Sequence, residues 1–282
     1  MGVIAGIARL AAAAFLGCAL PAAAGAQSAE EPSAKPEMTR SCPGLVAGDR
    51  PRAMPVALKV AALKPDQVRL IFIGHATFLI ESPQGVRIAT DYNDYTRPPV
   101  TPDIATMNHA HETHYTDHPD PAIKYVLRGW GEDPEHPAVY DLKYGDVRVR
   151  NVPTNIRDSF GGTERYGNSV FIFEIANLCI IHLGHLHHML TQQQLDDIGH
   201  PDVVMAPVDG EYTLDIDGMM QVLTALKAPL VIPMHFFGWV MLNRFLDRAR
   251  EQWTVEQSEL PSTIVSKTTL PESPKVLVLW GH

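Results

Sequence analysis

Three cysteines in 282 residues are too few to staple a fold, so a disulfide framework is excluded. Cys18 falls in an N-terminal stretch that reads as removable, which leaves Cys42 and Cys179. Cys179 stands in Leu178-Cys179-Ile180-Ile181, a run that reads as a buried strand where a thiol serves as a small apolar side chain. A Cys42–Cys179 disulfide stays open. Basic charge is also scarce: 23 Lys and Arg against 32 Asp and Glu give a formal charge of −9. With no Lys/Arg-rich run, nucleic acid and anionic membrane surfaces make poor partners, and a small-molecule substrate is expected instead. No apolar run gives a comfortable membrane-spanning helix, which needs about 20 residues. Gly161-Gly162 lacks the strand–loop–helix setting of a phosphate cradle, and Ser169 lacks a nucleophile elbow.

The N-terminus reads as an export signal over residues 1–26. Arg9 is the only charge before Glu30, residues 10–20 are apolar, and Pro21 precedes the small-x-small site Ala24-Gly25-Ala26. Cleavage there removes Arg9, moves the charge from −9 to about −10, and leaves about 256 residues starting at Gln27. The expected destination is the periplasm or the outside of a bacterial cell, with no stable membrane insertion once the signal is gone. Phe15-Leu16-Gly17-Cys18 is a weaker match to a lipoprotein cleavage site. Residues 27–65, rich in Ala, Pro, Glu and Lys, read as an extended leader, and 66–282 as the main domain.

From residue 68 the pattern changes to short β-prone runs, at 68–73, 77–81, 86–90, 104–107, 123–127, 147–152, 169–175 and 178–182. Further strands are expected at 203–206, 230–233, 263–266 and 275–279. Helices are fewer. Thr191 with Gln194 forms a capping box that opens one ending at Gly199. Residues 214–227 carry helical apolar spacing before Pro229, and 240–253 form a third helix. Strands first, then strands alternating with helices, predict an α/β protein with helices packed outside its sheets.

What the chain has in excess is clustered histidine. Eight of thirteen fall in two windows: His109, His111, His114 and His118, then His182, His185, His187 and His188. Neither is a low-complexity tract. Imidazole is the commonest zinc ligand. His-x-His leaving a strand sets both rings on one side, because the side-chain period there is two. His114 can swing back to the same point across a turn. The windows therefore predict a metal site, with Thr113 where a carboxylate would be the more useful ligand.

Taken in order, the segments resemble the metallo-β-lactamase superfamily, in the branch of ascorbate-phosphate lactonases and N-acyl-phosphatidylethanolamine phospholipase D. The motifs are Ile73-Gly74-His75-Ala76-Thr77, Thr90-Asp91, His109-x-His111-x-Thr113-His114, Tyr166-Gly167-Asn168-Ser169, His182-Leu183-Gly184-His185 and Ile232-Pro233-Met234-His235. The resemblance implies an αββα sandwich with the metal at one sheet edge. It also puts His75 near the site and makes Asp91 the orienter of a ligating histidine. Three positions depart from the family pattern: Thr113 replaces its Asp, Asn155 a His in the loop 152–155, and His185 the bridging Asp.

Losing the family's carboxylate at position 113 and the bridging Asp removes the negative charge that two divalent cations need nearby. One ion per chain is expected, zinc first, with iron or manganese open. Two ligand sets fit: His114, His185 and His235, or His109, His111 and His185. Zinc would serve hydrolysis of an ester, lactone, amide or phosphodiester, with Asp91 orienting a ligand and His187 as a proton shuttle. A non-catalytic binding protein and a non-haem iron oxidoreductase are the alternatives.

Overall fold

Strands dominate because short runs rich in β-branched and aromatic residues recur from residue 68 onward, and a strand sends successive side chains to opposite faces. The computed structural model describes residues 62–133, 135–158 and 160–280, all within the contact unit Lys59–His282. The signal segment 1–26, Cys18, Cys42 and most of the leader 27–65 lie outside the described residues, as does any Cys42–Cys179 pairing.

In chain order the first strands are β1 (Val68–Gly74), β2 (Thr77–Glu81), β3 (Arg87–Ala89), β4 (Ile104–Met107) and β5 (Tyr125–Arg128). Next come β6 (Asp141–Tyr144), β7 (Val147–Arg157), β8 (Thr163–Ile175) and β9 (Leu178–His182). Helix α1 (Gln192–Ile198), β10 (Val203–Pro207), α2 (Ile216–Leu226), β11 (Leu230–Met234) and α3 (Trp239–Arg250) alternate, followed by β12 (Thr254–Gln257), β13 (Ser262–Val265) and β14 (Lys275–Val278). One sheet runs β13-β1-β2-β3-β4-β5 and the other β12-β14-β11-β10-β9-β8-β7-β6.

The core lies between the sheets. Leu70, Phe72, Phe78 and Ile80 from the first meet Phe171, Phe173, Ile180, Met205 and Ile232 from the second. The intervening residues Val170, Ile172, Ile181, Val204 and Val231 face the other way. There Met219, Val222, Leu223 and Leu226 of α2, and Leu242, Phe245, Leu246 and Ala249 of α3, pack at helical spacing. The chain is thus the expected α/β sandwich, with its three described helices on the eight-stranded sheet. Ala89, Ala105 and Met107 on the six-stranded sheet are met instead by Tyr92 and Ile123. Among the described residues no helix is long and apolar enough to cross a membrane.

The reading of α1 holds in detail: Thr191 accepts from Gln194 N–H and the Gln194 side chain returns the bond. Two strands escape the sequence reading, β6 (DLKY) and β12 (TVEQ), both short, polar and at sheet edges. The stretch 152–155, expected as a loop, belongs to β7, with its pairing to β8 shifted between Thr154 and Ile156. Strands β9, β10 and β11 run parallel, as do β3, β4 and β5. Their C-terminal ends are the positions at which open α/β sheets bind ligands.

Candidate metal centre

Four backbone segments bring five imidazoles to these strand ends. His75 follows β1, His111 and His114 follow β4, His185 lies beyond β9, and His235 is the first residue after β11. His75 (φ 51°), Asp91 (φ 41°) and His235 (φ 55°) all hold left-handed backbone, a strained conformation that clusters at functional sites. The His235 N–H donates to the His75 carbonyl at 2.7 Å, tying the edges of the two sheets together. Gly184 (φ +61°) precedes His185, and a Cβ there would lie 2.3 Å from Asn168 Oδ1 and 2.4 Å from Asn108 Nδ2. Only glycine fits.

Those two amides frame the site. Asn108 donates to Asp91 Oδ1 at 2.9 Å and accepts from Ser169 N–H at 2.8 Å. Asn168 accepts from His185 N–H at 2.8 Å and donates to Thr154 Oγ1. Asn93 donates to the carbonyls of Asp91 and Thr113, each at 2.8 Å. The loop carrying the histidines is therefore positioned by buried hydrogen bonds that a merely mobile surface loop would lack.

One nitrogen from each of His75, His111, His114 and His235 can be chosen so that all four lie within 4.8 Å of one another. His114 Nδ1–H donates to Asp91 Oδ2 at 2.5 Å, and His235 Nδ1–H donates to Asp209 Oδ1 at 2.9 Å, with all four side chains fully buried. Each ring is thereby fixed in one tautomer with Nε2 turned inward as a lone pair. Both Nε2 atoms are buried without a protein partner, a cost of about 1–3 kcal/mol each unless something satisfies them. A carboxylate behind a ligating imidazole is the usual support of a metal-bound histidine. The donor set and its orphaned atoms fit a divalent transition metal.

Electrostatics agree. Burial and mutual repulsion with His235 and His111 hold the His75 imidazole down at about 3, and burial followed by neighbouring histidines lowers His111, His114 and His185 as well. Neutral rings keep lone pairs for coordination. Burial raises the Asp91 carboxyl to about 6. Burial also opposes charge on Asp209, yet His235, Thr213 and the Glu211 N–H outweigh it and hold that carboxyl well below its ordinary range. Two buried acids stand behind the imidazole cluster, a charge balance suited to one divalent cation.

The remaining candidates are placed differently. His185 packs against His111, His114 and His235, its Nε2 3.0 Å from His111 Nε2, with Nδ1 buried and unpartnered. Thr113 does not ligate through a carboxylate but hydrogen-bonds through its hydroxyl to His75 Nε2 at 2.9 Å and His111 Nδ1 at 2.8 Å. His109 turns away, donating from Nδ1 to Glu164 at 2.8 Å beside Tyr115 and Trp130. Strand β4 ends at Met107, so the period-two argument that put His109 beside His111 does not extend to them. Asn155 accepts from Tyr166 N–H at 3.0 Å. His187 accepts the Arg157 N–H on Nδ1 and donates from Nε2 to the Tyr212 carbonyl at 2.6 Å, so both nitrogens are engaged. Asp209 escaped the sequence reading; its one signal is an acid directly after the strand-ending Ala206-Pro207-Val208. Replacing His109 with Gln is expected to leave metal content per chain unchanged, measured by elemental analysis after dialysis. Loss of the metal would put His109 back among the ligands.

Residues 69–235 match the family model described as the Beta-lactamase superfamily domain. A metal-dependent hydrolase of Thermoplasma volcanium is 25% identical over 196 residues, covering 60% of this chain and 83% of its own. A second, from Methanospirillum hungatei, is 25% identical over 218 residues, covering 73% and 96%. Among solved structures, one described as a Zn-dependent hydrolase of the metallo-beta-lactamase superfamily from Thermotoga maritima superposes with a TM-score of 0.56. It is 27% identical and covers 75% of this chain and 98% of its own.

Proposed function

The chain belongs to the beta-lactamase superfamily, and from that premise we propose an exported hydrolase with one zinc ion per chain. It is a metal-dependent hydrolase of this superfamily with a His-rich site; export, the zinc and its count are the proposal. The observation that carries the single site is the pair His114–Asp91 and His235–Asp209, which presents two buried, unpartnered Nε2 atoms toward His75 and His111. These four histidines would hold the metal, with His185 as a fifth ring at their edge. A zinc ion bound there would polarise a substrate oxygen and lower the pKa of water to about 7.

The protein's own part is to hold the donors rigid and neutral. Asp91 and Asp209 fix ring orientation, and the Thr113 hydroxyl ties His75 to His111 where a carboxylate would have drawn a second cation. Export is supported by the 1–26 segment, with Arg9 ahead of an apolar stretch and Ala24-Gly25-Ala26. The test is elemental analysis of protein purified without added metal, followed by ester, lactone, amide and phosphodiester assays. Near one zinc per chain with turnover is the expected result; two metals per chain, or none under any loading condition, would refute the reading.

A further inference from the structure

Beside the histidines lies an exposed apolar patch. The segment Phe236-Phe237-Gly238-Trp239-Val240-Met241-Leu242 has no polar side chain, although it begins α3, where Ser, Thr, Asp or Asn usually caps. The cap position is Gly238, with no side-chain hydrogen bond. Phe237, Trp239 and Val240 are 58%, 55% and 77% exposed, and Tyr212 is 59% exposed. Phe237 packs edge-on to Tyr212 with ring centres 5.5 Å apart. Exposed apolar surface gathered in one place marks a binding site more often than chance.

Its position selects the occupant. The Phe237 ring lies 5.3 Å from His75 and 5.4 Å from His235, centre to centre. A molecule lying on this patch therefore reaches two of the four clustered imidazoles. The cations that flank it are already engaged. Arg157 Nη2 donates to the carbonyls of Glu211, Tyr212 and Thr213, and Arg244 pairs with Glu211 at 2.7 Å. Arg157 is thereby tied to three carbonyls and Arg244 is offset by an acid.

We infer that the substrate is an uncharged carboxylic ester or lactone with an apolar arm, which lies on Phe237, Tyr212, Trp239 and Val240. This rests on the hydrolase reading above and names its substrate class. In the reaction the oxygen of water bonds to the acyl carbon and the acyl carbon–oxygen bond breaks. One water proton goes to the leaving alcohol oxygen and the other to solvent, leaving a carboxylate.

The test titrates the full chain, zinc-loaded and zinc-free, with n-alkanoates from acetate to decanoate, the acid products of such esters. Tryptophan fluorescence reports binding, since Trp239 stands in the patch. The expected result is about fourfold tighter binding per added methylene, with the dependence flattened in the double variant Phe237→Ser, Val240→Ser. A flat series in the unaltered chain overturns the inference. So does self-association abolished by Val240→Lys, which assigns the patch to a second copy, or faster turnover of bis(4-nitrophenyl) phosphate than of 4-nitrophenyl octanoate. A chain-length dependence that survives while zinc changes no affinity supports the apolar subsite and counts against the metal reading, so the two fail separately.

Discussion

Replacing His235 with Ala is expected to abolish zinc retention and reduce hydrolysis to background. The ring is fully buried, its Nδ1 donates to Asp209, and its Nε2 faces the other histidines without a partner. Its loss removes one donor and leaves the Asp209 carboxylate buried beside a cavity. Removing one hydrogen-bond partner of a buried polar group costs about 1–3 kcal/mol, so metal-free H235A is expected to melt about 5 °C lower. Elemental analysis and a thermal melt of the same preparation check both parts. His114→Asn, which alters the matching dyad on Asp91, is expected to lose zinc in the same way. Zinc retained at one per chain in both variants would remove these histidines from the ligand set.

Asp209→Asn is expected to weaken zinc binding by about 10- to 100-fold with the ligands untouched, the usual range for a carboxylate that orients a ligating imidazole. The side chain does two jobs. Oδ1 accepts from His235 and from the Thr213 hydroxyl at 2.6 Å, while Oδ2 accepts from the N–H groups of Glu211, Tyr212 and Thr213. The amide places a donor where one of these oxygens accepts. Either the His235 tautomer or the 211–213 turn must then give way. Competition with a chromophoric chelator reads the affinity directly, and an unchanged zinc Kd in a folded D209N protein would reduce Asp209 to a turn cap.

The sequence was a good guide wherever one local rule governed the outcome. The capping box at Thr191 and the β-prone runs 169–175 and 178–182 appear in the fold as they read in the chain. Local rules also located the loop holding His111 and His114, because three imidazoles in six residues are rare by accident. They failed where position depends on distant partners. His75 carries no local ligand signal, and the resemblance alone put it near the site; the bond from the His235 N–H, 160 residues later in the chain, and the Thr113 hydroxyl hold it in the cluster. His109 is diverted by Glu164, which belongs to β8. Asp209 carries no motif, and its role exists only because β10 and β11 run parallel and in step. Strands β6 and β12 were missed for a related reason: edge positions tolerate polar residues that carry no periodic signal.

These particulars converge on one claim, a single metal held by imidazoles backed by two buried acids. X-ray absorption at the zinc edge of the fully loaded protein tests it most directly. The account predicts a first shell of nitrogen and oxygen at about 2.0–2.1 Å with the multiple scattering of several imidazoles, and no heavier neighbour. A metal–metal vector at about 3.5–4 Å would contradict it.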